Sequence, residues 1–170
     1  MFTMNNANKI LNIILNEYPS LKDEKIILLK NNEFSVEIGL FENIVTISNE
    51  VNDDNFNKYI RNYLLKKDFD TNNYMFNNLY EVFSFVHEVG HIYYKEYAYE
   101  SEKHYKEYKG KIHKSYRDAF YEYRNIPYET LADEFAINII KNNAITIWSI
   151  MNDISIEKAQ EEYDFWNMWV

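Results

Sequence analysis

Phe83-Ser84-Phe85-Val86-His87-Glu88-Val89-Gly90-His91-Ile92-Tyr93 is the stretch on which the fold turns. Apolar residues fall on nearly every side of a helix drawn through it (Val82, Phe85, Val86, Val89, Ile92), the pattern of an element buried on several sides. The spacing predicts a helix from about Asn77 to Tyr97. At 3.6 residues per turn, positions four apart lie one above the other, so His87 and His91 can aim both imidazoles at one point. Glu88 follows His87 by about 100° around the axis, beside that point. This is the H-E-x-x-H arrangement, in which two histidines of one helix bind zinc and the glutamate serves as a base. The competing reading is one packed core histidine, one incidental histidine and a surface acid. A third ligand decides between them.

That ligand is expected downstream. After Ile126-Pro127, a favourable helix start, comes Tyr128-Glu129-Thr130-Leu131-Ala132-Asp133-Glu134-Phe135-Ala136. On a helical projection Glu129 and Asp133 share a face with Ala132, Ala136 and Ile140, while Thr130, Glu134 and Lys141 fall opposite. Two acids four residues apart inside an apolar stripe repel each other and are costly to bury unless something compensates. A metal and its ligand shell would do so, with Glu129 as third ligand and Asp133 accepting the free N–H of a ligand histidine. The alternative leaves Glu129 exposed at a helix end and pairs Asp133 with a lysine. Gly90 costs about 1 kcal/mol relative to alanine inside a helix. It implies close approach of a neighbour, for which the small Ala132 and Ala136 are suited.

Composition bounds the rest. A chain of 170 residues fits a single domain, 1–170, with a substantial core. The net charge of −9 argues against tight binding to a nucleic-acid backbone, which depends on Lys and Arg displacing counterions. There is no cysteine, so any transition metal must be held by His and carboxylate. The N-terminal residues lack a basic start and a small-residue cleavage site, and no apolar run is long enough to span a bilayer. A cytoplasmic setting without membrane contact is the expectation, and the oligomeric state stays open.

Around the centre, Ala7, Ile10, Leu11, Ile14 and Tyr18 predict an opening amphipathic helix stopped by Pro19. Residues 26–29, then Phe34, Val36 and Ile38, then 44–47 predict three strands of an antiparallel sheet, with turns near Asn31-Asn32 and between Gly39 and Asn43. The strand Asn43–Ser48 is expected to lie nearest the site and to pair with an extended substrate. Asp53-Asp54 reads as a helix cap before Phe56, Tyr59, Ile60, Tyr63 and Leu64, and 66–73 as a polar loop. From Ala98 to Arg124 the chain is dense in Tyr, Lys and Glu. Its balanced charge predicts a solvated pair of helices broken at Gly110, in preference to a single-stranded nucleic-acid surface. His104 and His113 fall there as extra ligands, transition-state donors or ordinary surface histidines.

His87-Glu88-Val89-Gly90-His91 followed by Glu129-Thr130-Leu131-Ala132-Asp133-Glu134-Phe135-Ala136 resembles the ImmA/IrrE family of metallopeptidases, which pair an H-E-L-G-H helix with an E-x-E-A-(N/D)-x-F-A helix. The order of elements is similar too, down to Ile154-Ser155-Ile156-Glu157-Lys158-Ala159, which looks like the family's V-S-x-x-A entry into its closing helix. The likeness runs from Ile10 to about Ala159, and only the two motifs in it are specific. Leu131 stands in place of the usual second glutamate. The segments 51–80 and 98–126 are long for the family, and the C-terminus lacks its usual basic residues.

The resemblance implies an α+β, zincin-like, helix-rich single domain, with a small three-stranded antiparallel or mixed sheet packed on the H-E-x-x-H helix and no DNA-binding domain. It implies Zn2+ held by His87, His91 and Glu129, with Glu88 as the catalytic base and Asp133 behind the ligands. Members are cytoplasmic proteins of bacteria and mobile elements, and several cleave or inactivate a helix-turn-helix repressor, so a protein substrate of that kind is expected. Two other readings stay open: a non-catalytic, metal-containing protein that sequesters a regulator, and a hydrolase of a non-peptide amide.

Overall fold

The computed structural model describes residues 2–31, 34–39, 41–48, 59–64, 67 and 79–167. The expected features at Asn32, Asp53-Asp54, Phe56, Asn77 and most of 66–73 lie outside the described residues. What is described is helix-rich with one small sheet.

Helix α1, Met4–Glu17, opens with a reciprocal cap: the Thr3 hydroxyl accepts from the Asn6 amide at 3.1 Å, and Asn6 Oδ1 accepts from the Thr3 amide at 2.9 Å. Its stripe of Ala7, Ile10, Leu11 and Ile14 is buried as expected, and Pro19 starts a short 3-10 turn, Pro19–Asp23. Strands β1, Ile26–Asn31, β2, Ser35–Ile38, and β3, Asn43–Ser48, follow.

The sheet is mixed, one of the two forms the resemblance implies, which corrects the all-antiparallel pairing expected from the strand pattern. Its order is β1-β3-β2, with β1 parallel to β3 (Ile26 opposite Asn43) and β2 antiparallel to β3 (Ser35 opposite Thr46). The strands exist where periodicity places them, but β1 and β2 pair with β3 and not with each other. The reason is burial. Only β3 carries alternate apolar side chains, Val45 and Ile47, with almost no exposure, and the strand that fills the core takes the centre, with partners on both sides. The expected pairing of substrate with Asn43–Ser48 is corrected for the same reason, since both of its edges are already hydrogen-bonded. Among the described residues the edges belong to β1 and β2.

Residues 59–64 are helical (α2), with Ile60, Tyr63 and Leu64 buried. Helix α3, Leu79–Tyr93, packs on the sheet and buries Val82, Phe83, Phe85, Val86, Val89 and Ile92. It stops four residues short of the expected Tyr97. The apolar face ends at Ile92, and the exposed Lys95 and Glu96 belong to a 3-10 turn, Lys95–Tyr97. Helices α4, Ala98–Lys109, and α5, Tyr116–Arg124, are the expected pair, parted at Gly110. The Ser115 hydroxyl caps α5 by accepting from the Asp118 amide at 3.1 Å.

Helix α6, Pro127–Asn142, begins with proline in its first turn and makes its most extensive packing with α3. A single residue separates it from α7, Ala144–Asn152, which ends at Asp153 in the left-handed region at φ 52°. Helix α8, Ile156–Asn167, closes back on α7, where Trp148 Nε1 donates to Glu162 at 2.8 Å. Asn6 ties the two ends of the fold together by donating to the Ile150 carbonyl at 2.8 Å. Among the described residues no helix is long and apolar enough to cross a membrane.

The α3–α6 contact depends on Gly90. A methyl group placed there would lie 3.1 Å from Ala132 Cα, 3.2 Å from Ala132 O and 3.2 Å from Phe135 Cδ1. Two of those atoms are backbone, so relief requires the helices to separate. Gly110 differs: its added methyl would make ordinary contact, 3.4 Å from Lys106 O, in right-handed backbone at φ −80°. Gly90→Ala is therefore expected to lower stability by about 1–3 kcal/mol through overpacking, in spite of alanine's better helix propensity. Gly110→Ala should be neutral or stabilising by up to about 1 kcal/mol. Paired denaturant titrations check the opposite signs, and a stabilising Gly90→Ala would contradict this packing.

Candidate metal centre

Helix α3 carries His87 and His91 on one face, their ring centroids 4.6 Å apart, and α6 carries Glu129 and Asp133 one turn apart opposite them. Because the Gly90–Ala132 contact draws the two helices together, these side chains meet. His87 Nε2 is 3.1 Å from Glu129 Oε2, and His91 Nε2 is 3.6 Å from Glu129 Oε1. One donor atom from each of His87, His91 and Glu129 lies within 4.8 Å of the others, and all three residues are 5 % exposed or less. They could hold a metal ion. Metal–donor bonds of about 2.0–2.2 Å place tetrahedral donors roughly 3.3–3.6 Å apart, near the His87 Nε2–Glu129 Oε2 separation.

Asp133 lies behind this triad, where the sequence places it. Its Oδ1 is 2.8 Å from His87 Nδ1, so His87 carries its proton there and turns Nε2 toward Glu129. The reading of Glu129 as an exposed helix-end acid fails, because it is 2 % exposed. Among the described residues Asp133 has no lysine partner. It takes the guanidinium of Arg124, whose Nη1 donates to Oδ1 at 2.6 Å and sits 3.4 Å from His87 Nδ1. Arg124 is itself buried, 5.6 Å from the Phe120 ring centroid and 6.0 Å from that of Phe83. A buried arginine must be paired, and a fully buried carboxylate is its partner.

Sequence reasoning missed Arg124 and two tyrosines. Tyr105 from α4 and Tyr123 from α5 both donate to Glu129 Oε1, at 2.5 and 2.8 Å. A third tyrosine, Tyr128, donates to the His91 carbonyl at 2.6 Å, with its ring centroid 4.4 Å from that of His91. The one signal available was position: Tyr123 and Arg124 close a helix just before the proline that starts α6. His104 and His113 stay outside the cluster. His104 is exposed, and His113 packs at a tilt against Tyr108, ring centroids 4.7 Å apart, with Glu122 3.8 Å away.

The electrostatics follow from burial and neighbours. Burial disfavours a charge on His87, but hydrogen bonds to Asp133 and Glu129 outweigh it and raise the pKa to about 9. Burial, together with the charge on His87, lowers His91 to about 3, so it is a neutral ligand with a free lone pair. Burial works against ionisation of Glu129, yet the hydrogen bond and the charge of His87 hold it well below the ordinary carboxylate range. Glu88 is half-buried and is pushed upward by burial, an effect opposed by His87 and reinforced by Glu129. Without an ion, a proton on His87 occupies the place between the carboxylates that a cation would take.

Compared with known proteins, the chain matches no family model, no curated protein and no solved structure.

The shifts give the metal-free protein a pH signature. His87, raised from 6.5 to about 9, contributes stability that is complete below pH 6.5 and lost as pH rises through about 9. His91, lowered from 6.5 to about 3, loses stability for the folded state as pH falls below 6.5, and Glu129 adds to that loss below its ordinary 4.5. Urea midpoints measured in chelator should therefore peak near neutral to slightly acid pH and decline on both sides. Saturating metal should remove the alkaline decline, because the ion replaces the His87 proton. A flat alkaline limb in chelator would show that His87 carries no such proton.

Proposed function

We propose that this chain is a zinc-dependent peptidase of the ImmA/IrrE type, acting on a regulatory protein such as a helix-turn-helix repressor. One observation carries the reading: the two histidines of an H-E-x-x-H helix converge on a glutamate from a second helix, with a carboxylate on the outer nitrogen of the first histidine. His87, His91 and Glu129 are the ligands, a nitrogen and oxygen donor set suited to zinc in a chain without cysteine. Zinc bound there supplies Lewis acidity for a carbonyl and lowers the pKa of a water. The chain's own groups do the rest. The Glu88 carboxylate takes a proton from water and returns it to the leaving amine, and its upward-shifted pKa suits a group that must do both near neutral pH. Asp133, held ionised by Arg124, keeps His87 in the tautomer that turns Nε2 to the ion. An extended peptide would join the sheet at the outer edge of β2, which packs against α3.

A second reading has an observation of its own. The ligand triad is almost closed to solvent, as in a structural metal site, which favours a metal-stabilised protein that sequesters its regulator without cutting it.

Glu88→Gln separates the two. With zinc loaded, the unsubstituted chain is expected to cut a repressor encoded beside its gene, or members of a diverse peptide library, with new fragments seen by mass spectrometry. Glu88→Gln should retain its zinc and lose cleavage by roughly 10²–10⁴-fold. Binding of the repressor with no fragment from either protein would favour sequestration, and equal cleavage by both would remove Glu88 from the chemistry.

A further inference from the structure

We propose that Tyr105 and Tyr123 are positioning residues of the metal centre: from two separate helices their hydroxyls hold Glu129 Oε1 and so present Oε2 beside His87 Nε2. The inference rests on the metal reading above and extends it to the segment 98–124, of which that reading uses only Arg124.

The argument begins with lone pairs. A carboxylate oxygen offers two acceptor sites, and Oε1 receives two hydroxyl donors, at 2.5 and 2.8 Å. With both sites taken, Oε1 has none left for an ion, while Oε2 lies 3.1 Å from His87 Nε2. The side chain is thus fixed in rotation as well as place, which a single donor would not achieve. The phenols serve as donors only. Each hydroxyl lies within hydrogen-bond distance of a carboxylate oxygen, which has no proton to give when ionised, so the phenol is the donor.

The two rings are braced in turn. Tyr105 and Tyr123 have centroids 6.2 Å apart, Tyr108 lies 5.5 Å from Tyr123, and His113 backs Tyr108 at 4.7 Å. Tyr123 and Arg124 are consecutive, and each holds one acid of α6: Tyr123 takes Glu129, and Arg124 takes Asp133. Thr130 Oγ1 closes the joint by donating to the Arg124 carbonyl at 3.0 Å. The end of α5 is therefore fitted to the first turns of α6, and α4 contributes the second donor to the same oxygen. This arrangement makes the tyrosine-rich helices the outer half of the centre and gives them a purpose that their solvated, charged composition conceals.

The test is zinc affinity, read by competition with a chromophoric chelator. Four forms are compared with the unsubstituted chain: Tyr105→Phe, Tyr123→Phe, the double variant, and Tyr99→Phe, whose ring is 84 % exposed on the same helix as Tyr105. Each single variant is expected to bind zinc roughly 10-fold more weakly and the double variant roughly 100-fold, within the range for groups that support a ligand. Tyr99→Phe should be unchanged. Melting temperatures of the metal-free proteins are recorded alongside, because phenols that only pack would lower them without altering affinity. Single variants with zinc affinity within about twofold of the unsubstituted chain would overturn the assignment, and because each keeps one donor they stay decisive if the double variant fails to fold. If the unsubstituted chain itself takes up no zinc, the metal reading and this inference fall together. Tight zinc in every form removes only the tyrosine assignment.

Discussion

Glu129 and Asp133 are buried in the apolar stripe of α6, one turn apart, and most of what surrounds them neutralises their charge. A carboxylate out of water is costly unless hydrogen-bonded and paired, and two in one stripe repel. The fold meets that cost from three directions. Helix α3 contributes His87 to both acids, α5 contributes Arg124 to Asp133 and Tyr123 to Glu129, and α4 contributes Tyr105. In the metal-free state hydrogen bonds to the two acids favour the charged form of His87, and with Arg124 it balances Glu129 and Asp133, while burial keeps His91 neutral. The centre is thus organised around positive charge, and His87, His91 and Glu129 could hold a metal ion there.

That constraint explains the scaffold. Side chains from α3 and α6 reach one another because the helix backbones nearly touch, which requires glycine at position 90, where a side chain would meet the backbone of Ala132. The sheet packs on α3, with β3 filling the core through Val45 and Ile47. Helices α1, α7 and α8 complete the core at a distance from the acids. Rigidity comes from this packing, and chemistry comes from the few polar groups it forces together.

Much of the centre was legible because it breaks a rule that soluble sequences otherwise keep. Histidines four apart in an all-apolar helix, and acids four apart in an apolar stripe, need a common explanation, and Gly90 pointed to the contact that supplies it. The strands were legible by alternation. Their order was not, since the period of a strand says which way side chains point and nothing about its neighbours. Helix α7 escaped notice because 144–150, apolar but for Thr146 and Ser149, shows no clear polar face and a single residue separates it from α6. Tyr105, Tyr123 and Arg124 were hidden by their company. They are three among many Tyr, Lys and Arg in a segment whose composition reads as solvated, and only tertiary packing separates the buried ones from the rest.

The central claim is that the triad binds an ion, and metal content tests it most directly. Elemental analysis of the purified chain, set beside Glu129→Gln, compares the full donor set with one whose third ligand has lost its charge but kept its shape. About one equivalent of zinc in the unsubstituted protein, falling far below one in the variant, is the expected result. Absence of stoichiometric transition metal in the unsubstituted protein, or equal retention in both, would contradict the account.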